Sequence, residues 1–128
     1  SPIIRHLAKD LINIMEQAVK SKIFIIESFF NIIGAGSGAT IHNHNSNLDK
    51  LLKLSNQKYS FFYYISLGDQ NCTEPGILKL YKNKKQIIKK ILPSDGKIII
   101  TRANQLHSAA YNGKTDRIMI GVNFYSLA

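Results

Sequence analysis

Hydrophobic residues recur at every third or fourth position in the first twenty residues of the chain. They are Ile4, Leu7, Leu11, Ile12, Met15 and Val19. This spacing lines one face of an α-helix, and Pro2 suits the first turn of such a helix. The pattern therefore predicts an amphipathic helix from Pro2 to Lys20, within an N-terminal part comprising residues 1–21. His6 would lie on the surface of this helix.

After Ser21 the pattern changes to short β-branched and aromatic runs separated by Gly, Pro, Asn and Asp. The predicted strands are Lys22–Ile33, Ala39–His44, Lys58–Leu67, Gly76–Tyr81, Gln86–Leu92, Gly96–Thr101, Leu106–Tyr111 and Thr115–Tyr125. The turns between them are predicted at Gly34–Gly38, Pro75-Gly76, Pro93–Gly96 and Asn112-Gly113. Eight short strands over residues 22–128 indicate a mainly β sandwich or jelly roll, including the cupin-like type.

Two strands alternate between apolar and polar positions in an informative way. In the last strand, one face carries Ile118, Ile120, Val122 and Phe124, and the other carries Arg117, Met119, Gly121 and Asn123. The first face is typical of a core, and the second of a polar pocket wall inside a jelly roll. Phe62, Tyr64 and Ser66 likewise share one side of an earlier strand.

Histidines occupy two positions two residues apart at the end of a predicted strand. His42 and His44 would project to the same side, where one metal ion could take a nitrogen from each. His107 follows at the end of another strand-like segment and could be a third ligand. The alternative for the first pair is a metal-free polar loop with hydrogen-bonded histidines.

Arg117 stands ten residues after His107. If it is buried it needs an anionic partner, and its planar fork fits a carboxylate. Tyr64 on a neighbouring strand could share that carboxylate, so a metal and an Arg–Tyr pair would define a slot for a small dianion. The alternatives are an ion pair of Arg117 with Asp116, a core role for Tyr64, and a satisfied buried amide at Asn123.

The polar insertion 45–57 contains four leucines and follows the two histidines directly. We interpret it as a loop with one helical turn, placed next to the proposed site. It could be a lid or a surface loop with apolar anchors.

Composition narrows the classes of partner. The chain has 128 residues, 45% of them hydrophobic, and a net charge of +9. Much of the excess charge lies between Lys79 and Lys97, where Tyr81 is the only aromatic residue, so a solvated hairpin is favoured over a nucleic-acid surface.

No apolar run is long enough to cross a membrane. The single cysteine, Cys72, fits a reducing compartment such as the cytoplasm. Because the chain begins with Ser1-Pro2, we expect a trimmed start or a piece of a longer protein.

Most of the chain, from about Lys22 to Ala128, resembles the iron- and 2-oxoglutarate-dependent oxygenases, and more narrowly the prolyl-hydroxylase-like and phage or bacterial members. The matching segments are Glu27–Asn31, Ile41–Ser46, Tyr63–Asp69, Glu74–Tyr81, Leu92–Ile100, Leu106–Ser108 and Asp116–Phe124. The His107-to-Arg117 spacing, followed by hydrophobic residues and Asn-Phe, is the most specific of these features.

The resemblance implies a double-stranded β-helix that carries Fe(II) on His42, His44 and His107. It also implies 2-oxoglutarate as cosubstrate, its far carboxylate held by Arg117 and Tyr64, with Asn123 as a further contact. The expected reaction is hydroxylation of an unidentified substrate with release of succinate and CO2. A small molecule or a peptide is expected as that substrate, because Asn123 stands where nucleic-acid demethylases of the superfamily carry a second arginine.

The sequence departs from the family pattern at two points. The usual metal ligands are two histidines and a carboxylate, yet position 44 is a histidine. Asp49 is the nearest carboxylate that could substitute. Met119 and Gly121 stand where relatives often have a hydroxyl that helps to bind the cosubstrate. Two other functions therefore stay open: a three-histidine cupin enzyme, either an isomerase or a dioxygenase without 2-oxoglutarate, and an inactive β-helix binding domain.

Overall fold

The computed structural model describes residues 1–33 and 37–128. Its helices are α1 (Pro2–Val19) and α2 (Asn47–Leu51), and its strands are β1 (Ile23–Ile33), β2 (Ser37–His42), β3 (Lys58–Ser66), β4 (Leu78–Asn83), β5 (Gln86–Ile91), β6 (Ile98–Arg102), β7 (Leu106–Tyr111) and β8 (Arg117–Ser126). The predicted helix and all eight predicted strands are confirmed with small changes of boundary. Part of the turn predicted at Gly34–Gly38, residues 34–36, lies outside the described residues.

The eight strands form two four-stranded antiparallel sheets. The sheet β1-β8-β3-β6 contains the longest strands and is called the larger sheet; the sheet β2-β7-β4-β5 is called the smaller sheet. Odd and even strands alternate between the two sheets along the first half of the chain. This is the double-stranded β-helix expected from the sequence. β8 lies between β1 and β3, which places its residues at the centre of the larger sheet.

The helix α1 covers the outer face of the larger sheet. Leu11 and Met15 from the helix pack with Phe61 of β3 and with Val122 and Phe124 of β8, and all five side chains are buried. The apolar face predicted for the last strand is therefore a core face. Burying such side chains contributes about 1.5–3 kcal/mol each, which is enough to fix the register of β8 against the helix.

A second apolar cluster fills one end of the space between the sheets. It contains Tyr64 and Leu67 from the β3 segment together with Leu78 and Ile99, which come from the facing sheet and from β6. Because side chains alternate along β3, Phe61 points to the helix while Tyr64 points between the sheets. The remainder of that interior is lined by both polar and apolar side chains.

A buried ion pair fastens the insertion that follows β2. Asp49 of α2 and Lys58 of β3 are almost completely buried, and their Oδ2 and Nζ atoms lie 2.8 Å apart. The Asp49 carboxylate also accepts hydrogen bonds from the hydroxyl of Tyr125 and from the backbone N–H of Ser46. The second of these bonds belongs to the capping box at the N-terminus of α2. Leu48, Leu51 and Leu52, in contrast, are more than half exposed, so the buried charge of Asp49 anchors the insertion and these three leucines do not.

Most lysines of the hairpin of β4 and β5 are exposed to solvent. Every residue of β5 from Gln86 to Lys90 is exposed, and β5 forms an edge of the smaller sheet. Lysines on an edge strand discourage pairing with other chains. His6 is likewise exposed on α1. Within the described ranges, no helix is long and apolar enough to span a membrane.

We expect Asp49→Asn to lower the free energy of unfolding at pH 7 by about 3–5 kcal/mol, because it leaves the buried Lys58 charge uncompensated. Although burial acts to raise it, hydrogen bonds from Lys58 and Tyr125 lower the pKa of Asp49 from 3.8 to about 2. A carboxyl with a lowered pKa stabilises fully above its unfolded pKa, and this contribution is lost as the pH falls through the folded value.

The difference in the free energy of unfolding between Asp49→Asn and the native protein should therefore narrow as the pH falls from 4 towards 2. This is the interval between the unfolded and folded pKa values of Asp49. Urea unfolding at pH 7 and at low pH measures it. Asp10→Asn, at an exposed position of α1, is the matched control and should change little. Equal stabilities of Asp49→Asn and the native protein at pH 7 would contradict the expectation.

Candidate metal centre

Three imidazoles meet at one point between the sheets. One ring nitrogen from each of His42, His44 and His107 lies within 4.8 Å of the others, which is the geometry of a metal-binding group. His42 ends β2 and pairs in register with His107 of β7, so the sheet itself brings these two together. The strand β2 ends two residues earlier than predicted, so His44 lies beyond it. The backbone N–H of His44 donates to the carbonyl oxygen of Ala103 at 2.7 Å.

Each imidazole is oriented by a hydrogen bond at its Nδ1 atom. The acceptors are the carbonyl oxygens of Thr40 at 2.6 Å for His42 and of Gln105 at 3.0 Å for His107. For His44 the acceptor is the Oδ1 atom of Asn123, at 2.8 Å. A proton held on Nδ1 leaves the lone pair of Nε2 free, and this is how proteins prepare histidine to bind a metal.

Burial favours the neutral forms of His44 and His107. Burial lowers the pKa of His107 to about 4, and the neighbouring His42 and His44 act in the same direction. Burial also lowers the pKa of His44, although its hydrogen bond with Asn123 opposes the shift. Because only a neutral imidazole binds a metal, His107 needs to lose no proton at pH 7.

Arg117 is buried without a matching anion. Its side chain is 2% exposed, and its Nε atom has no hydrogen-bond partner. Its Nη2 atom donates to the sulfur of Met119 at 3.9 Å. Within residues 1–33 and 37–128 no carboxylate reaches the guanidinium, so the alternative ion pair with Asp116 does not form. Burial lowers the pKa of Arg117, and an unpaired charge of this kind costs several kcal/mol.

Two tyrosines form the walls around the guanidinium. The carbon at its centre lies 5.4 Å from the ring of Tyr64 and 5.2 Å from the ring of Tyr111. The Tyr111 hydroxyl donates to the carbonyl of Thr115 and accepts from the N–H of Asp69, so it is held away from the cavity. Burial raises the pKa of Tyr64, whose hydroxyl therefore stays protonated and able to donate. Sequence reasoning found Tyr64 but missed Tyr111.

Gly76 provides the room that Arg117 occupies. A Cβ atom built at position 76 would lie 1.7 Å from Nη1 of Arg117, and the backbone there has φ +83°, a conformation that favours glycine. The Pro75-Gly76 turn signal thus has a steric role at the site that the sequence did not reveal.

One cavity of about 380 Å³ joins the histidines to the arginine. Its polar lining consists of the three histidines, Tyr64, Tyr111 and Arg117, and most of the rest is apolar or small: Phe29, Ile32, Gly38, Phe62, Leu78, Ala109, Ala110, Met119 and Gly121. The cavity is therefore polar at two places with an apolar wall between them. A ligand with two charged ends and a short hydrocarbon middle matches this distribution.

Two candidate residues have contacts outside this cavity. The Oδ1 atom of Asn123 accepts from Ser60 and His44, and its Nδ2 atom donates to Glu27. Asn123 therefore contacts the candidate metal ligand His44 and not Arg117. Asp49, considered as a substitute carboxylate, is held by Lys58 and Tyr125 and is absent from the metal-binding group. The candidate centre therefore has three neutral ligands.

Comparison with known proteins gives structural likeness without sequence likeness. No protein-family model matches the chain, and no curated protein matches it. Solved structures do match. A prolyl hydroxylase from Trichoplax adhaerens, in complex with a hypoxia inducible factor peptide fragment, aligns with a TM-score of 0.68 at 19% identity. An oxidoreductase of the 2OG-Fe(II) oxygenase family from Burkholderia pseudomallei aligns with a TM-score of 0.62 at 12% identity.

A third match belongs to another class of the same fold. A predicted oxalate decarboxylase from Thermotoga maritima aligns with a TM-score of 0.52 at 19% identity, over 88% of this chain and 74% of that one. The prolyl hydroxylase and the oxygenase cover 96% and 83% of this chain, which spans only 56% and 46% of theirs. At these identities the likeness establishes the double-stranded β-helix fold.

We expect His107→Ala to weaken binding of a divalent metal by more than about 100-fold, because the loss of a direct ligand exceeds the 10- to 100-fold typical of an outer contact. Isothermal titration with Ni²⁺ or Zn²⁺ at pH 7 measures the affinity without oxygen chemistry. His6→Ala removes an exposed imidazole from α1 and should leave the affinity unchanged. Native affinity in the His107→Ala variant would show that the ion binds elsewhere.

Proposed function

We propose that the chain is a non-haem Fe(II)- and 2-oxoglutarate-dependent dioxygenase that hydroxylates an unidentified substrate. The observation that carries the proposal is the unpaired Arg117, buried in the cavity that the three histidines also line. A protein gains nothing from an isolated buried charge unless an anion completes it. 2-Oxoglutarate offers a keto acid for a metal at one end and a second carboxylate for a guanidinium at the other.

The donor set fits a divalent transition metal. Imidazole nitrogens suit iron, zinc, copper and nickel, and three ligands on one side leave positions open for other groups. His42, His44 and His107 would hold the ion, each through the nitrogen opposite its hydrogen-bonded Nδ1. When bound, Fe(II) would supply the activation of dioxygen that couples oxidation of the keto acid to succinate and CO2 with hydroxylation of the substrate.

The contribution of the protein is orientation and the exclusion of water. The planar guanidinium of Arg117 would bind the far carboxylate in a bidentate manner, and the hydroxyl of Tyr64 would donate a hydrogen bond to the same carboxylate. Leu78, Phe62 and Met119 line the wall of the cavity and would face the hydrocarbon middle of the diacid. Phe29 lies against the backbone of Gly121, where an added Cβ would approach its ring to 2.2 Å, and so closes that side of the cavity.

A second candidate follows from the third neutral ligand. A centre of three histidines without a carboxylate is also compatible with a cupin-like metal enzyme that uses no 2-oxoglutarate, and a decarboxylase-type structure shares the fold. The buried guanidinium favours the dioxygenase, because a three-histidine enzyme without a diacid has no evident use for it. A domain that only binds a ligand is the remaining alternative.

The proposed substrate is a small molecule or a peptide. Asn123 does not extend the basic end of the cavity, since its amide is engaged by His44 and Glu27. The lysines of the β4–β5 hairpin are absent from the lining of the cavity.

We assign the protein to a reducing compartment such as the cytoplasm, on the ground that its single cysteine, Cys72, is unpaired.

The direct test is anaerobic loading with Fe(II), addition of 2-oxoglutarate and oxygen, and measurement of succinate. Many such sites consume the keto acid slowly without a substrate, so we expect succinate in excess of an iron-free control. Bound metal without succinate would favour the cupin-like candidate, and neither metal nor succinate would favour a binding domain.

We expect Arg117→Met to remove most of the stabilisation that 2-oxoglutarate gives to the Ni²⁺-loaded protein. Losing one partner of a buried charge pair costs about 2–5 kcal/mol of binding energy, or about 30-fold or more in affinity. A ligand at 100 times its Kd stabilises the native state by about 2.7 kcal/mol, which a thermal unfolding curve detects as a rise in Tm.

Arg102→Met is the matched control for this measurement. Arg102 also lies over a tyrosine ring, 5.5 Å from the centroid of Tyr59, but it is exposed and distant from the cavity lining. This variant should retain the native rise in Tm. An undiminished rise in the Arg117→Met variant would remove Arg117 from the diacid site.

A further inference from the structure

A carboxylate from the edge of the larger sheet reaches the hydrogen-bond network behind His44. Oε1 of Glu27, on β1, accepts a hydrogen bond of 2.6 Å from the Nδ2 atom of Asn123. Oδ1 of the same amide accepts from the Nδ1 atom of His44 at 2.8 Å. Glu27, Asn123 and His44 thus form a linear chain of contacts that ends at a candidate metal ligand.

A bulge in β1 creates this chain. Ile25 pairs with Phe124 and Glu27 pairs with Asn123, so Ile26 is an extra residue with no partner on β8. Without the bulge, Ile26 would stand opposite Asn123 and its side chain could accept no hydrogen bond. Bulges commonly re-aim a side chain beside a functional site. This one brings an acid to the inward face of an otherwise apolar strand segment.

The chemistry of the three groups sets the direction of every hydrogen bond. An ionised carboxylate has no proton to donate, so Glu27 fixes the amide of Asn123 with its NH2 group outward and its oxygen toward His44. That oxygen can only accept, and the imidazole must therefore carry its proton on Nδ1. The lone pair of Nε2 is then free for a metal.

The opposite orientation of the amide would have the opposite effect. If the NH2 group of Asn123 faced His44, it would donate to Nδ1, and the ring proton would move to Nε2, where it blocks the metal. Ser60 does not decide between the orientations, because its hydroxyl can donate to the amide oxygen, as it does at 2.8 Å, or accept from the amide nitrogen. Among these contacts only the carboxylate enforces one orientation.

We propose that Glu27 is a positioning residue that selects the metal-binding tautomer of His44 through the amide of Asn123. The inference rests on the proposed function for the identity of the metal centre. It also explains how a neutral third ligand is prepared at a position where the related oxygenases have a carboxylate. A carboxylate ligand needs no such device, because both of its oxygens are acceptors whatever their orientation.

The test uses the whole chain and two measurements on each variant. Nitrogen-15 spectra of the metal-free protein report the tautomer of His44, and isothermal titration with Ni²⁺ reports the affinity. For Glu27→Leu we expect a substantial fraction of the Nε2–H tautomer at His44 and an affinity lower by about 10- to 100-fold. For Glu27→Gln, whose amide can either accept from or donate to the amide of Asn123, we expect a tautomer fraction and an affinity between those of the native protein and Glu27→Leu.

A double variant separates selection of the tautomer from a merely structural role. In Glu27→Leu/Asn123→Asp, residue 123 presents only acceptor oxygens, so its orientation no longer matters, and we expect the Nδ1–H tautomer and much of the affinity to return. Glu16→Leu, which removes an acid of α1 lying 3.6 Å from Lys22, is the control and should resemble the native protein.

The outcomes are distinguishable. A native tautomer in Glu27→Leu overturns the inference whatever its affinity, and so does a double variant in which neither quantity recovers. If the native protein binds no Ni²⁺, the proposed metal centre fails, whereas the tautomer measurement on the metal-free protein still decides the role of Glu27.

Discussion

The site depends on one strand that has to satisfy two different environments. β8 lies between β1 and β3, and its alternate residues face α1 on one side and the cavity on the other. Val122 and Phe124 bury apolar surface against the helix, which leaves no freedom to slide the strand by one residue, since that would exchange the two faces. The same register brings Arg117 into the cavity and Asn123 behind His44. The packing energy of the outer core thus sets the geometry of the inner polar site.

The strands could be predicted, and the individual candidate residues named, because their signals are local. Alternation along residues 117–124, turn residues between the strands, and the His107-to-Arg117 spacing all lie within short windows of sequence. What escaped prediction depends on pairing between distant segments. The bulge at Ile26 places Glu27 beside Asn123, and β7 brings Tyr111 against Arg117. Neither alignment leaves a trace in the neighbouring residues, because sheet register is decided by the whole of the packed structure.

The insertion illustrates the same point for a charged pair. Its leucines suggested apolar anchors, yet the buried residue is Asp49, held by Lys58 from a strand nine positions later. Nζ of Lys58 also donates to the backbone carbonyl of His44 at 2.8 Å. One ammonium group therefore joins the base of the insertion to the backbone of a candidate metal ligand. The contact between α2 and this candidate ligand is therefore a polar one within the folded core, and the exposed leucines take no part in it.

The three neutral imidazoles also affect which anions the cavity would bind. A divalent ion on such ligands keeps its full double charge, and the Arg117 guanidinium adds to it, with no protein carboxylate in the lining to offset either. The site would thus attract dianions as a class. Succinate carries the same double charge as 2-oxoglutarate, so electrostatic attraction alone would not distinguish the product from the cosubstrate. Other small dianions in the surrounding solution would therefore compete with 2-oxoglutarate for this cavity.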